Sequence, residues 1–186
     1  PGDVCLNVMP LFHIHGLIAA VLASLRAGGT VVCTPGFDAL RFFRWMEEER
    51  PSWFTAVPTM HQAILGRAER NRDIIERVKL RFIRSSSASL PGPVMEQMEA
   101  TFGCPLVESY GMTEASHQMC SNPLAGPRKP GKVGRPAGPE VAIMADDGTL
   151  LPQGEIGEVV IRGPNVTQGY EANPDANAKA FTQGWF

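Results

Sequence analysis

Leu80-Arg-Phe-Ile-Arg-Ser85, a stretch with apolar residues at Val94, Met95, Met98 and Phe102, and then Pro105-Leu-Val-Glu108 follow one another along the chain. The outer two are short apolar runs bounded by Gly or Pro, which reads as strand. The middle one repeats at helical spacing, with Pro91 and Pro93 near its start and Gly103 just past its end. Strand, single helix, strand is the unit of a parallel sheet, because an antiparallel neighbour needs only a tight turn. Working upstream, residues 30–34 and 53–57 predict two more strands. Between them Asp38 is placed to cap a helix carrying Leu40, Phe43 and Met46 inward, and Pro58 opens another marked by Met60, Ile64 and Ala68. Downstream of Ser116 the texture changes. Gly and Pro crowd residues 122–139, short strands are expected at 141–144 and 158–162 around the turn Asp146-Asp-Gly148, and helical spacing returns only around 174–181. The expected fold class is α/β: a parallel-sheet α/β layer over residues 1–120, followed by a small antiparallel, barrel-like subdomain over residues 121–186, with the boundary between Ser116 and Pro130.

Composition sets outer limits. At 186 residues there is enough chain for a substantial core. The longest apolar run, from Leu17 to Leu25, contains Ser24 and is closed by Arg26, well short of the roughly 20 residues a bilayer span needs. A net charge of -2 offers no electrostatic case for nucleic acid or an anionic membrane surface, so neither is expected as a partner. Cys5, Cys33, Cys104 and Cys120 are widely spaced, which favours reduced thiols in a cytosolic-type protein over a metal site or a disulfide framework. A cytoplasmic location is expected, with a peroxisomal one as the eukaryotic alternative.

Three stretches carry chemistry. Tyr110-Gly-Met-Thr-Glu114 combines an aromatic face that can stack on a base with a hydroxyl at Thr113 and hard carboxylate oxygens at Glu114. Gly111 there admits a positive φ or a close approach of backbone to a ligand. Pro10-Leu-Phe-His13-Ile-His15-Gly16 puts histidines at a loop-to-helix junction, where backbone donors favour anions. Arg84-Ser-Ser-Ser-Ala-Ser-Leu90 places small residues at the carboxyl end of a strand, where open α/β sheets bind ligands. A fourth stretch, Gly126 to Val133, has the G-x-x-x-x-G-K spacing of a phosphate loop. Val133 stands where Ser or Thr would hold the metal, and Pro127 and Pro130 remove backbone donors, so it is read as a decoy.

In this order the three stretches, with Gly154-Glu-Ile-Gly-Glu158 running on to Arg162-Gly-Pro164, resemble the adenylate-forming superfamily of acyl-CoA synthetases, luciferases and peptide-synthetase adenylation domains. The resemblance covers essentially the whole chain. It implies that Tyr110 stacks on adenine, and that Ser86, Ser87, Ala88 and Ser109 line the purine pocket, with Gly111 and Met112 beside them. It implies further that Thr113 contacts the α-phosphate and Glu114 coordinates Mg²⁺. His13 would orient the substrate carboxylate and stabilise charge as it attacks, and His15 would point into the acyl pocket. ATP, Mg²⁺ and coenzyme A are the implied cofactors and cosubstrate, with an acyl-AMP as the intermediate; oligomeric state is left open.

Within the superfamily, residues 84–90, 110–117, 121–124 and 163–167 look most like the oxalate-CoA ligase group. A small dicarboxylate needs a polar pocket, and Ser87 and His117 are the candidates to hold its second carboxylate, an anion there raising the pKa of His117. A fatty- or aryl-acid ligase is the alternative substrate reading, and a nonenzymatic adenylate-binding or interaction module is the alternative class. The family's lysine-bearing phosphate loop, its ribose-binding aspartate and its C-terminal lysine have no counterpart in these residues. The chain therefore reads as part of a longer enzyme, inactive by itself.

Overall fold

The structure, a computed structural model, describes residues 2–186. Strands β1 (Val4–Asn7), β2 (Thr30–Cys33), β3 (Trp53–Ala56), β4 (Phe82–Ser85) and β5 (Leu106–Tyr110) are parallel and lie in the order β2-β1-β3-β4-β5. The two-residue strands β6 (Cys120–Ser121) and β7 (Arg135–Pro136) extend that sheet antiparallel beyond β5. A second, antiparallel sheet follows, with β8 (Glu140–Met144) between β9 (Leu150–Leu151) and β10 (Glu158–Arg162). The hydrogen-bonded changeover from one sheet to the other thus falls between Pro136 and Glu140, later than the change in composition.

A π-helix, His15–Leu22, runs into α1 (Ala23–Arg26) and joins β1 to β2. The α2 helix (Phe42–Glu49) then carries the chain across to β3, α3 (Pro58–Ala68) and α4 (Arg72–Arg77) lead to β4, and α5 (Gly92–Phe102) leads to β5. Winding therefore reverses between β1 and β3, the point at which the carboxyl ends of an open α/β sheet part to leave a crevice. The last helix, α6 (Pro174–Ala180), starts at Asn173, whose side chain accepts the Ala176 N–H.

One face of the sheet carries the main core, where Leu6, Phe54, Ile83 and Leu106 meet Phe42, Phe43 and Met46 of α2, Ile64 of α3, and Met98 and Phe102 of α5. On the other face Cys5 and Trp53 pack with Ala20 of the π-helix. β1 is covered on both faces like β3, β4 and β5 and shows no alternation, and Val4-Cys-Leu-Asn7, with one β-branched residue and no aromatic, has little else to mark it as a strand. Asp38 does accept the N–H groups of Leu40 and Arg41, at 2.8 and 3.2 Å, but it caps a turn ahead of the helix proper. Leu40, expected inward, is therefore exposed, and Phe42 fills the core position instead. Chain reversals use left-handed backbone at Gly103 after α5 and at Arg50 after α2.

Candidate active site

Strand register aligns Cys5, Trp53 and Phe82 in one row across β1, β3 and β4, and Asn7, Thr55 and Arg84 in the row two residues nearer the carboxyl ends. The first row is packing, with Trp53 and Phe82 stacked at 5.0 Å between ring centroids. The second row is polar and buried throughout. On a single face the sheet turns from core to chemistry as it reaches its loops.

His15, the first residue of the π-helix, is fully buried against that polar row. Its Nε2 lies 2.5 Å from Thr55 Oγ1 and its Nδ1 3.0 Å from Ser87 Oγ. The helix can start here because residue 16 is glycine: a Cβ would sit 2.3 Å from the Pro10 carbonyl oxygen. Burial first, then the charge of Arg84 and the neighbouring histidines, pushes the pKa of His15 down to about 3, so the ring is a neutral hydrogen-bonding group. His13 is exposed, and its Nδ1 accepts the His15 N–H at 3.1 Å, which places the ring proton on Nε2.

His117 is buried, with its ring 5.4 Å from that of His15. Its Nδ1 is 3.4 Å from Arg84 Nη2. A guanidinium has no acceptor, so Nδ1 must accept and Nε2 must carry the proton. Burial first, then the Arg84 charge, then His13 hold the pKa of His117 down to about 4, whereas the upward shift expected from the sequence is one beside a bound anion. The turn that delivers it is tight. Ser116 and His117 both have positive φ, and the His117 N–H returns to the Met112 carbonyl at 3.1 Å. A Cβ on Gly111 would lie 1.4 Å from the His117 carbonyl oxygen. Gly111 is thus needed for the loop's own closure, and its φ is not positive.

Beside this cluster a cavity of about 340 Å³ is lined by Ser87, Ala88, Ser109, Tyr110 and Gly111 of the expected residues, together with Glu108, Gly131 and Val133. Glu108 stands out chemically. Its Oε1 accepts the Leu90 N–H at 3.0 Å, its buried Oε2 has no partner, and burial raises its pKa. An unpartnered acceptor on a residue of the cavity wall suits the exocyclic amine of a purine, and the size suits a base, so the residues fit the nucleotide. The G-x-x-x-x-G-K stretch forms no strand–loop–helix, and two of its residues help close this cavity.

Other expected residues lie apart from the cavity wall. Ser86 is buried and its Oγ donates to the Ser109 carbonyl at 3.0 Å, tying β4 to β5. Met112 packs instead with Ala115, Met119, Cys120 and Ile161. Thr113 and Glu114 form the 3₁₀ turn Thr113–Ala115 and do not line the cavity, with Thr113 exposed. Tyr170 OH donates to Glu114 Oε1 at 2.9 Å, which fixes one carboxylate oxygen. Mg²⁺ commonly takes one or two protein carboxylates plus substrate phosphates, and Glu114 fits that mode; no cluster of three or more metal-type ligands occurs among the described residues. The four cysteines are free, and no described helix is long and apolar enough to cross a membrane.

Sequence patterning assigned no role to Thr55, Arg84, Glu108 or Tyr170. For the first three a signal existed, a polar side chain within a strand otherwise buried on both faces. Tyr170 meets Glu114 across 56 positions and had none.

Comparison with known proteins gives a consistent outcome. The family model described as AMP-binding enzyme matches residues 1–171. An oxalate–CoA ligase from Arabidopsis thaliana is 49% identical over all of this chain and 37% of its own length. Another oxalate–CoA ligase, from Saccharomyces cerevisiae, is 45% identical over 98% of this chain and 33% of its own. Among solved structures, ATP-bound MatB from Rhodopseudomonas palustris superposes with a TM-score of 0.90 at 32% identity, covering all of this chain and 37% of that one. The chain therefore spans about a third of the length of the relatives it matches.

Proposed function

Since the chain belongs to the AMP-binding enzyme family, we propose that it supplies the acyl- and adenine-binding part of an ATP-dependent acid–CoA ligase, which activates a carboxylate as acyl-AMP and passes the acyl group to coenzyme A. The observation that carries this reading is spatial. Tyr110 and Glu108, whose buried Oε2 has no partner, line one cavity, and Ser87 in the same wall pairs with His15 at the sheet's switch point. Tyr110 stacks on adenine and Glu108 accepts from its amine. Thr113 donates to the α-phosphate, and Glu114, oriented by Tyr170, holds the Mg²⁺ that offsets phosphate charge. His13 presents its Nε2–H to the attacking carboxylate. No covalent protein nucleophile is required, because positioning and charge neutralisation carry the phosphoryl step.

The acid we propose is a small dicarboxylate, oxalate first, held by Ser87 Oγ and the Nε2–H of His117. A second reading, an apolar acid, is favoured by one feature: a separate cavity of about 260 Å³ under the π-helix, with Ala19, Ala23, Trp53 and Phe82 in its wall. Pyrophosphate release by the full-length protein with ATP, coenzyme A and oxalate, malonate or octanoate separates the two. Oxalate is expected to be turned over best, and His117→Ala to reduce that rate sharply. Preference for octanoate would reject the dicarboxylate, and release with no acid would reject the ligase.

A further inference from the structure

Arg84 is the anomaly of this site. It lies within β4, is only 8% exposed, and its guanidinium is spent on neutral acceptors. Nε donates to Ser109 Oγ at 3.0 Å, Nη1 to the Ala19 carbonyl at 3.3 Å, and Nη2 to Gln118 Oε1 at 2.7 Å and His117 Nδ1 at 3.4 Å. Among the described residues no carboxylate pairs with it, whereas Arg77, Arg81, Arg128 and Arg162 all have one. A charge removed from water without a counter-ion is costly, and burial already lowers the pKa of Arg84 to about 10. Such a cost is tolerated where an anion is to be received.

Its position gives the anion an address. Arg84 stands in the row with Asn7 and Thr55, touches His117, and also lines the 260 Å³ apolar cavity. The guanidinium is therefore set between that cavity and the Ser87–His15–His117 cluster. It does two things there. By donating to Nδ1 it fixes His117 with the proton on Nε2, a donor and never an acceptor toward that cluster. By carrying an unneutralised positive charge behind the ring it favours a second negative charge on the substrate and disfavours an apolar chain.

We propose that Arg84 is the specificity-determining residue of this site, a positioning residue that acts through His117 to select acids bearing a second carboxylate over apolar monocarboxylates. The inference rests on the ligase reading above and deepens it. Atoms in direct contact with substrate remain those of Ser87 and His117.

The test uses the full-length protein with Arg84→Met and Arg84→Lys. In wild type, ¹⁵N NMR of the imidazoles is expected to show His117 neutral at pH 6 with its proton on Nε2. In Arg84→Met the proton spreads over both nitrogens and the titration midpoint rises toward 6.5. In parallel, kcat/KM for oxalate relative to hexanoate is expected to fall by about tenfold or more in Arg84→Met, chiefly through the KM for oxalate, the loss ordinary for a charged hydrogen-bond partner. Arg84→Lys, which keeps the charge, is expected to restore most of that ratio. An unchanged ratio in Arg84→Met overturns the proposal, as does a Lys variant no better than Met. If Arg84→Met does not fold, a wild-type His117 that carries its proton on Nδ1 or titrates near 6.5 overturns it equally. Wild-type protein that activates no acid would remove the ligase reading, while the His117 spectrum would still report on what Arg84 does to its neighbour.

Discussion

At the residue scale the site is a set of polar side chains placed where a sheet should be greasy. His15, His61 and His117 are all buried and all have depressed pKa values, to about 3, 4 and 4. For a base whose folded pKa lies below its unfolded one, the unfolded chain binds more protons between the two values. Stability is thus fully present above about 6.5 and is lost as pH falls toward 4, at about 1.4 kcal/mol per pH unit for each histidine in that window. Urea denaturation at pH 7.0, 6.0 and 5.0 is expected to show a steep fall; a flat profile would mean that these rings are not held neutral. Glu108 gives a second check. If its free Oε2 receives the adenine amine, AMP should bind tighter than IMP, which lacks that amine, and Glu108→Leu should erase the difference, about tenfold, in a calorimetric titration. Equal binding of the two nucleotides by wild type would exclude that role.

At the element scale, two backbone features can be tested without any ligand. The loop after β5 folds back so closely that Gly111 has no room for a Cβ against the His117 carbonyl. Gly111→Ala should therefore cost more than about 2 kcal/mol, since backbone rather than a flexible side chain must move, and should disturb the His117 environment as well. The opposite sign is expected at the end of α2. Arg50 occupies left-handed backbone at φ 45°, a conformation that costs a residue with a Cβ roughly 1 kcal/mol. Arg50→Gly should hold or raise stability by up to about 1 kcal/mol in the same denaturation assay, and a clear loss would show that its side chain contributes more than its backbone costs. The π-helix belongs to this scale too. The sequence placed a loop-to-helix junction at Pro10–Gly16, but the wider turn from His15 is a tertiary outcome, set by Gly16 against the Pro10 carbonyl and by the two hydrogen bonds of His15.

At the scale of the molecule, the described chain carries the cavity of about 340 Å³ and the His15–Ser87–His117 cluster, but spans only about 37% of a relative such as the Arabidopsis oxalate–CoA ligase. Two behaviours should follow for this chain in isolation. AMP at about 100 times its Kd should raise the melting temperature by about 5–10 °C, as binding to the folded state alone requires. No acyl-CoA should form at a rate approaching that of an intact ligase; measurable turnover at such a rate would show that these residues suffice.

The sequence alone settled the α/β class, because helical and strand periods alternate between Gly and Pro boundaries from residue 30 to 108, and local spacing needs no partner to be read. It also marked the four stretches by which the family can be recognised, since each keeps its chemistry within a few consecutive residues. Local pattern could not supply β1, whose four residues include one β-branched side chain and no aromatic, nor the row of Asn7, Thr55 and Arg84, whose members come from three strands. Nor could it say that Glu114 would meet Tyr170, or that His117 would be kept neutral by burial first and by the Arg84 charge second. Those are consequences of strand register and of burial, which raise the cost of charge and fix proton positions only once distant segments meet. Tertiary structure alone therefore decided which polar groups share one dry space, and that in turn sets the chemistry the site can perform.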